Sequence, residues 1–189
     1  MSKDSRKLPS GGARVRVTHA GLCGSDLHRL PMDASTWPAG LGHEVSGVVE
    51  EVAGSAELQP GDRVAVIPLL WCGRCYRCLS GRLNLCLEGE AIGRTRPGGF
   101  GREVMVPDRN CHRIPDTMSL ETAALADVVA VCVHALNVSG YRPGQTALVI
   151  GDGAVGLTMA AILRRWGAPV AVSSKHPENL ELITGLAGD

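Results

Sequence analysis

The sequence predicts a two-part mixed fold, an antiparallel β domain followed by the first half of a parallel α/β unit. Three observations predict it. Residues 13 to about 115 are short Val-rich runs broken by Gly and Pro. Residues 119–136 turn Ala-rich, with apolar positions at helical spacing and no Gly or Pro. From residue 146 a strand, a Gly-rich turn, a helix and a second strand follow one another.

In chain order, the runs 14–18, 45–52, 63–67 and 103–106 are Val-rich and bounded by turn residues, so each is read as a strand. Ser119 stands where an N-cap is needed, and one helix is expected over 119–136. Tyr141, Arg142, Pro143 and Gly144 form a turn. Residues 146–150 then read as a buried strand, 154–166 as a helix, 169–173 as a second strand, and a last helix is expected from Pro177. The composition change sets the expected boundary at 136/137, giving domains 1–136 and 137–189.

The 189 residues carry 19 Lys+Arg against 19 Asp+Glu, a balance that argues against a partner such as nucleic acid. Six aromatic residues, Phe100, three Trp and two Tyr, make no stacking platform and leave packing to small aliphatic side chains. No uncharged apolar run reaches the roughly 20 residues of a membrane span, and residues 1–7 lack the apolar core of a secretory signal. A cytoplasmic protein without a membrane partner is expected. Of seven cysteines, Cys72, Cys75, Cys78 and Cys86 are clustered and Cys23, Cys111 and Cys132 are scattered, which does not suit a disulfide framework.

The cluster has the spacing CxxCxxCx7C, four thiolates near enough to close a tetrahedron around Zn2+. A redox pair needs two thiols and not four. With all four positions filled the zinc is structural, and the interleaved Arg74, Arg77 and Arg82 are expected to offset its thiolate charge. Two further segments carry ligand-type residues: Gly21, Leu22, Cys23, Gly24, Ser25, Asp26, Leu27, His28, and Gly40, Leu41, Gly42, His43, Glu44.

In this order, these segments resemble the zinc-containing alcohol dehydrogenases of the medium-chain dehydrogenase/reductase family. The likeness continues through Gly98-Gly-Phe-Gly101, Val106-Pro-Asp-Arg-Asn110, Ile114-Pro-Asp116 and Gly151-Asp-Gly-Ala-Val-Gly156, and spans about residues 9 to 189. The resemblance implies a GroES-like antiparallel β-barrel domain followed by a truncated Rossmann half. It also implies a second, catalytic zinc on Cys23, His43 and, by position, Asp127, making two zinc ions per chain. Asp127 is followed by Val128 where the family usually has Pro. His134 lies about 10.5 Å further along the same helix, too far to share the metal, and reads as a core histidine or one supporting the ligands. By the same resemblance Ser25 and His28 form a proton relay, Asp26 orients the zinc histidine, and Glu44 can approach the metal. A simple hydrogen-bonded turn is the alternative for Ser25 and Asp26.

Gly151, Gly153 and Gly156 follow a strand and open a helix, the context in which this glycine spacing cradles a pyrophosphate. NAD-specific versions place an acid at the end of the second strand. Here that end reads Ser173, Ser174, Lys175, His176, and a hydroxyl with a cation at Ser174 and Lys175 favours NADP over NAD. Ordinary solvated loop residues are the alternative.

The first functional reading is a zinc-dependent oxidoreductase of alcohol or polyol dehydrogenase type acting on a small alcohol or carbonyl compound. The departures from the family lie at both ends. The family's β-hairpin before residues 12–17 is expected to be missing, and the strands that would hold the nicotinamide are absent from these 189 residues, so weak NADP binding and little hydride transfer are expected of them. Two rivals follow: a Lewis-acid enzyme of non-redox type, such as a lyase, isomerase or cyclase, and a noncatalytic subunit. The two-stranded parallel sheet calls for a cover, either a second copy in a homo-oligomer or another chain.

Overall fold

Alternating valines set the geometry of the first half. The computed structural model describes residues 8–30, 40–54, 57–176, 178, 179 and 181. Two compact units divide at Ala126/Asp127. In the first, β1 (Gly12–Gly21), β2 (Glu44–Val52), β3 (Arg63–Val66), β6 (Glu103–Pro107) and β7 (Cys111–Arg113) form an antiparallel sheet in the order β6-β1-β2-β3-β7. A short α1 (Gly24–Leu27) follows β1, and β4 (Leu69–Leu70) pairs with β5 (Glu90–Ala91) on either side of α2 (Tyr76–Leu79). The side-chain period of two sends Ala13 and Val15, Val45 and Val49, Val64 and Val66, and Val104 and Val106 to one buried face. Full burial of a valine contributes about 1.5–3 kcal/mol, so this stripe is what holds the sheet together.

The long pairing of β1 with β2 carries two register irregularities, between Arg14 and Val15 and between Val17 and His19. Bulges bend and twist a strand, and here the shifted register brings Gly21 opposite Glu44 at the end that carries the metal-type residues. Arg14 bridges β2 and β6 through Glu51 at 3.2 Å and Glu103 at 2.9 Å.

Ser119 caps its helix as expected, its Oγ accepting from Thr122 N at 3.0 Å. The single helix expected over 119–136 is instead two, α3 (Leu120–Ala124) and α4 (Ala126–Ser139), separated at Leu125. No Gly or Pro causes the break. α3 packs on β1, β2 and β3, whereas Leu136 of α4 joins the core of the second unit, so the two pieces are drawn into different cores and packing overrides propensity. The helix that composition attaches to the β domain thus packs with the second unit from residue 127 on.

In that second unit β8 (Ala147–Ile150) and β9 (Val170–Ser173) pair in parallel across α5 (Ala154–Arg165), with Leu136, Val149, Ala160, Leu163 and Ala168 as the core. Leu148 and Ile150 on β8 are exposed, at 64% and 81%. The expected last helix from Pro177 lies almost wholly outside the described residues. Among the described residues no helix is long and apolar enough to cross a membrane.

Candidate metal centres and nucleotide turn

The turn that leaves β1 carries Cys23, the loop that enters β2 carries His43, and Glu44 opens the strand. Their donor atoms lie within 4.8 Å of one another. Asp26 ties the two segments together from beneath. It is 1% exposed, its Oδ2 accepts from Cys23 N and its Oδ1 from Gly42 N, both at 3.3 Å. The same Oδ1 stands 3.5 Å from His43 Nδ1, a charge-oriented approach without the alignment of a hydrogen bond. Nδ1 is thereby turned to the carboxylate, and Nε2 is the ring nitrogen left to bind a metal. The loop bearing His43 is braced from the far side by Gly99 N donating to Gly42 O at 2.8 Å and Phe100 N donating to Leu41 O at 3.0 Å.

Gly21 explains where Glu44 sits. A Cβ built on Gly21 would fall 2.1 Å from Glu44 Oε2, so the carboxylate of this buried glutamate occupies the space that any other residue at 21 would fill. A thiolate, an imidazole and a carboxylate converging at this range are a donor set that fits zinc with one position open. Ser25 is half-buried in α1 and His28 is the exposed residue that closes it, three positions on and thus neighbours on one turn. Asp127 lies in the first turn of α4 and belongs to the second unit. His134, expected in the core or behind the ligands, is exposed, because the buried face of α4 is taken by Val128, Cys132 and Leu136.

The four-cysteine lobe fits zinc by a sharper test. A tetrahedron with Zn–S bonds of about 2.3 Å has edges of about 3.8 Å. Cys72 and Cys78 Sγ are 3.9 Å apart, Cys75 and Cys78 Sγ 3.5 Å, and all four sulfurs lie within 4.8 Å of one another. Backbone N–H groups point at the sulfurs: Cys72 N donates to Cys86 Sγ at 3.3 Å and Cys75 N to Cys72 Sγ at 3.4 Å. Amides of Leu87 and Cys78, in that order, hold the Cys75 thiol down at about 6, and those of Arg74 and Cys75 lower Cys72. Loss of water pushes Cys78 up to about 12. Backbone amides thus favour the thiolate at Cys72 and Cys75, and burial disfavours it at Cys78. Of the three arginines expected to offset the charge, Arg74 pairs with Glu88 at 2.5 Å and Arg77 lies over the Tyr76 ring at 5.5 Å, so the second is engaged elsewhere.

The glycine turn between β8 and α5 is closed tightly on the helix it opens. Gly151 has φ +111°, and a Cβ on Gly156 would meet Gly151 O at 2.2 Å, so helix and turn touch with no room for a side chain. Gly153, the helix cap, faces open space. An anion can therefore approach the N-terminus of a twelve-residue helix. At the end of β9 Ser174 Oγ donates to Asp152 Oδ2 at 2.7 Å, a partner that the sequence reading did not include. Lys175 is exposed beside it. The only signal in the sequence was an acid between two glycines of the turn.

The family model described as alcohol dehydrogenase GroES-like domain matches residues 9–116. The L-idonate 5-dehydrogenase of Vitis vinifera is 36% identical over 193 residues, covering 96% of this chain and 53% of its own. Among solved structures, galactitol-1-phosphate dehydrogenase from Escherichia coli superposes with a TM-score of 0.88 at 32% identity, covering 100% of this chain and 55% of that one. A Sinorhizobium meliloti 1021 protein solved bound to NADP gives 0.86 at 36% identity, with 96% and 54% covered. The chain spans about half the length of the curated relatives it matches.

Proposed function

The chain belongs to the zinc-type alcohol dehydrogenases of the medium-chain dehydrogenase/reductase family, and from that premise we propose that it moves hydride between a small alcohol or polyol and a nicotinamide cofactor. The observation that carries the reading is the convergence of Cys23, His43 and Glu44 over the buried Asp26. Cys23 and His43 are the first two zinc ligands of the proposed site. The third is a carboxylate: Glu44, whose donor oxygen already lies within 4.8 Å of both, or Asp127, the position the family resemblance implies. Bound there, zinc supplies a Lewis acid that polarises the substrate oxygen and readies its carbon for hydride transfer.

The chain's own residues do the rest. Asp26 faces the His43 ring at Nδ1 and holds the backbone that presents Cys23. Ser25 accepts the substrate's hydroxyl proton and passes it to His28, whose exposure opens the path to water. The second zinc, on Cys72, Cys75, Cys78 and Cys86, keeps the lobe folded. Gly151, Gly153 and Gly156 receive the pyrophosphate, and Ser174 and Lys175 stand at the end of β9 where the adenosine ribose is read, with the Lys175 cation suited to the 2′-phosphate of NADP. The relatives are dehydrogenases, which supports hydride transfer over a non-redox or noncatalytic role.

Seven free cysteines suit a reducing compartment, the cytoplasm. The test is NADP-dependent oxidation of a panel of polyols by the protein purified from its own source. Turnover abolished by Cys23→Ser supports the reading. Substrate conversion without nucleotide, lost in the same variant, points to the non-redox alternative.

A further inference from the structure

The nucleotide turn contains an acid that the mechanism above does not use. Asp152 lies between Gly151 and Gly153, and the parallel register sets Ile150 beside Ser173. The residues just beyond therefore meet: Ser174 Oγ donates to Asp152 Oδ2 at 2.7 Å, and Asn179 Nδ2 donates to the same oxygen at 3.2 Å. Ser174 Oγ also accepts from His176 N at 2.8 Å and lies 2.8 Å from His176 O. A hydroxyl has a single proton, and a carboxylate is the stronger claimant for it. Ser174 thus has no donor left for an incoming anion. The Ser174 hydrogen bond, aided by Asn179, holds the Asp152 carboxyl below the ordinary carboxylate range, so the charge persists at neutral pH.

The end of β9 has no Asp or Glu of its own, yet the turn delivers a carboxylate to it. In doubly wound folds this is where the 2′ position of the adenosine ribose is read. We propose that Asp152 is a specificity-determining residue: it occupies the Ser174 hydroxyl, provides an acceptor for a ribose 2′-hydroxyl, and repels a 2′-phosphate, opposing the pull of Lys175. The inference rests on the dinucleotide reading given above. It makes the chain a restrained NADP binder, one whose preference is held down by a charge and not set by Ser174.

NAD+ and NADP+ differ only in the 2′-phosphate, so the ratio of their dissociation constants isolates the effect. Calorimetric titration of the full chain with each nucleotide is the experiment. Asp152→Asn, which keeps the size and an acceptor, is expected to shift the ratio toward NADP+ by about tenfold, the order expected for relieving one charge repulsion near the surface. Asp152→Glu, which keeps the charge, is expected to hold the wild-type ratio, and Lys175→Ala to move it toward NAD+. An unchanged ratio in Asp152→Asn, or an equal gain for NADP+ in Asp152→Asn and Asp152→Glu, would overturn the inference. Failure of the wild-type chain and every variant to bind either nucleotide would overturn the dinucleotide reading itself, and this inference with it.

Discussion

Replacing Asp26 with Ala removes the carboxylate that three groups of the metal site face at once. Two backbone donors, Cys23 N and Gly42 N, lose their acceptor in a place that is 1% exposed at Asp26. A stranded buried donor costs about 1–3 kcal/mol, and bonds as long as these fall at the low end, so about 2 kcal/mol of stability is expected to go for the pair. His43 also loses the group that orients its ring, and removal of such a partner weakens metal binding by about 10–100-fold, or about 1.4–2.7 kcal/mol. The four-cysteine site shares none of these contacts. Competition for zinc with a chromophoric chelator, followed by thermal unfolding with and without zinc, reads both effects. Asp26→Ala is expected to release one zinc at a chelator concentration the unmodified chain withstands, and to retain the other. Wild-type zinc affinity together with a wild-type melting temperature would refute the role given to Asp26.

Gly21→Ala would place a methyl 2.1 Å from Glu44 Oε2, so the glutamate must swing away. Turnover is expected to fall at least tenfold while the Cys72 lobe keeps its zinc, as measured by polyol oxidation and elemental analysis. Cys78→Ser removes the most buried ligand of the lobe and is expected to unfold it, seen as protease cleavage between residues 72 and 86 that the unmodified chain resists. The Ser174 hydrogen bond lowers the Asp152 pKa, so this link stabilises the fold above the ordinary carboxylate range and is lost as pH falls through the depressed value. Ser174→Ala should therefore raise the Asp152 midpoint in a carboxyl NMR titration; no movement would show that the hydroxyl is not the cause.

Patterns that live along the chain were legible before the structure. The Val-rich runs 45–52 and 103–106 declare strands, and CxxCxxCx7C names four residues whose sulfurs do lie within 4.8 Å of one another. Ser119 announced its helix. What depends on through-space packing was not legible. Nothing in 119–136 marks a break at Leu125, because the cause is the pull of two separate cores. Gly21 stands in the sequence only as the first residue of the Cys23 segment, while its importance is the absent Cβ that admits Glu44 from the neighbouring strand. Asp152 reads as a turn filler until the register of β8 and β9 brings Ser174 to it. Arg77 had the right charge for the thiolate cluster, but its guanidinium found Tyr76.

The most direct test of the central claim, that Cys23 and His43 hold a second and catalytic zinc, is the zinc content of the folded Cys23→Ser chain by elemental analysis. The unmodified chain is expected to carry two zinc ions, and Cys23→Ser one, kept by Cys72, Cys75, Cys78 and Cys86. Two zinc ions in Cys23→Ser, or one in both proteins, would contradict the account.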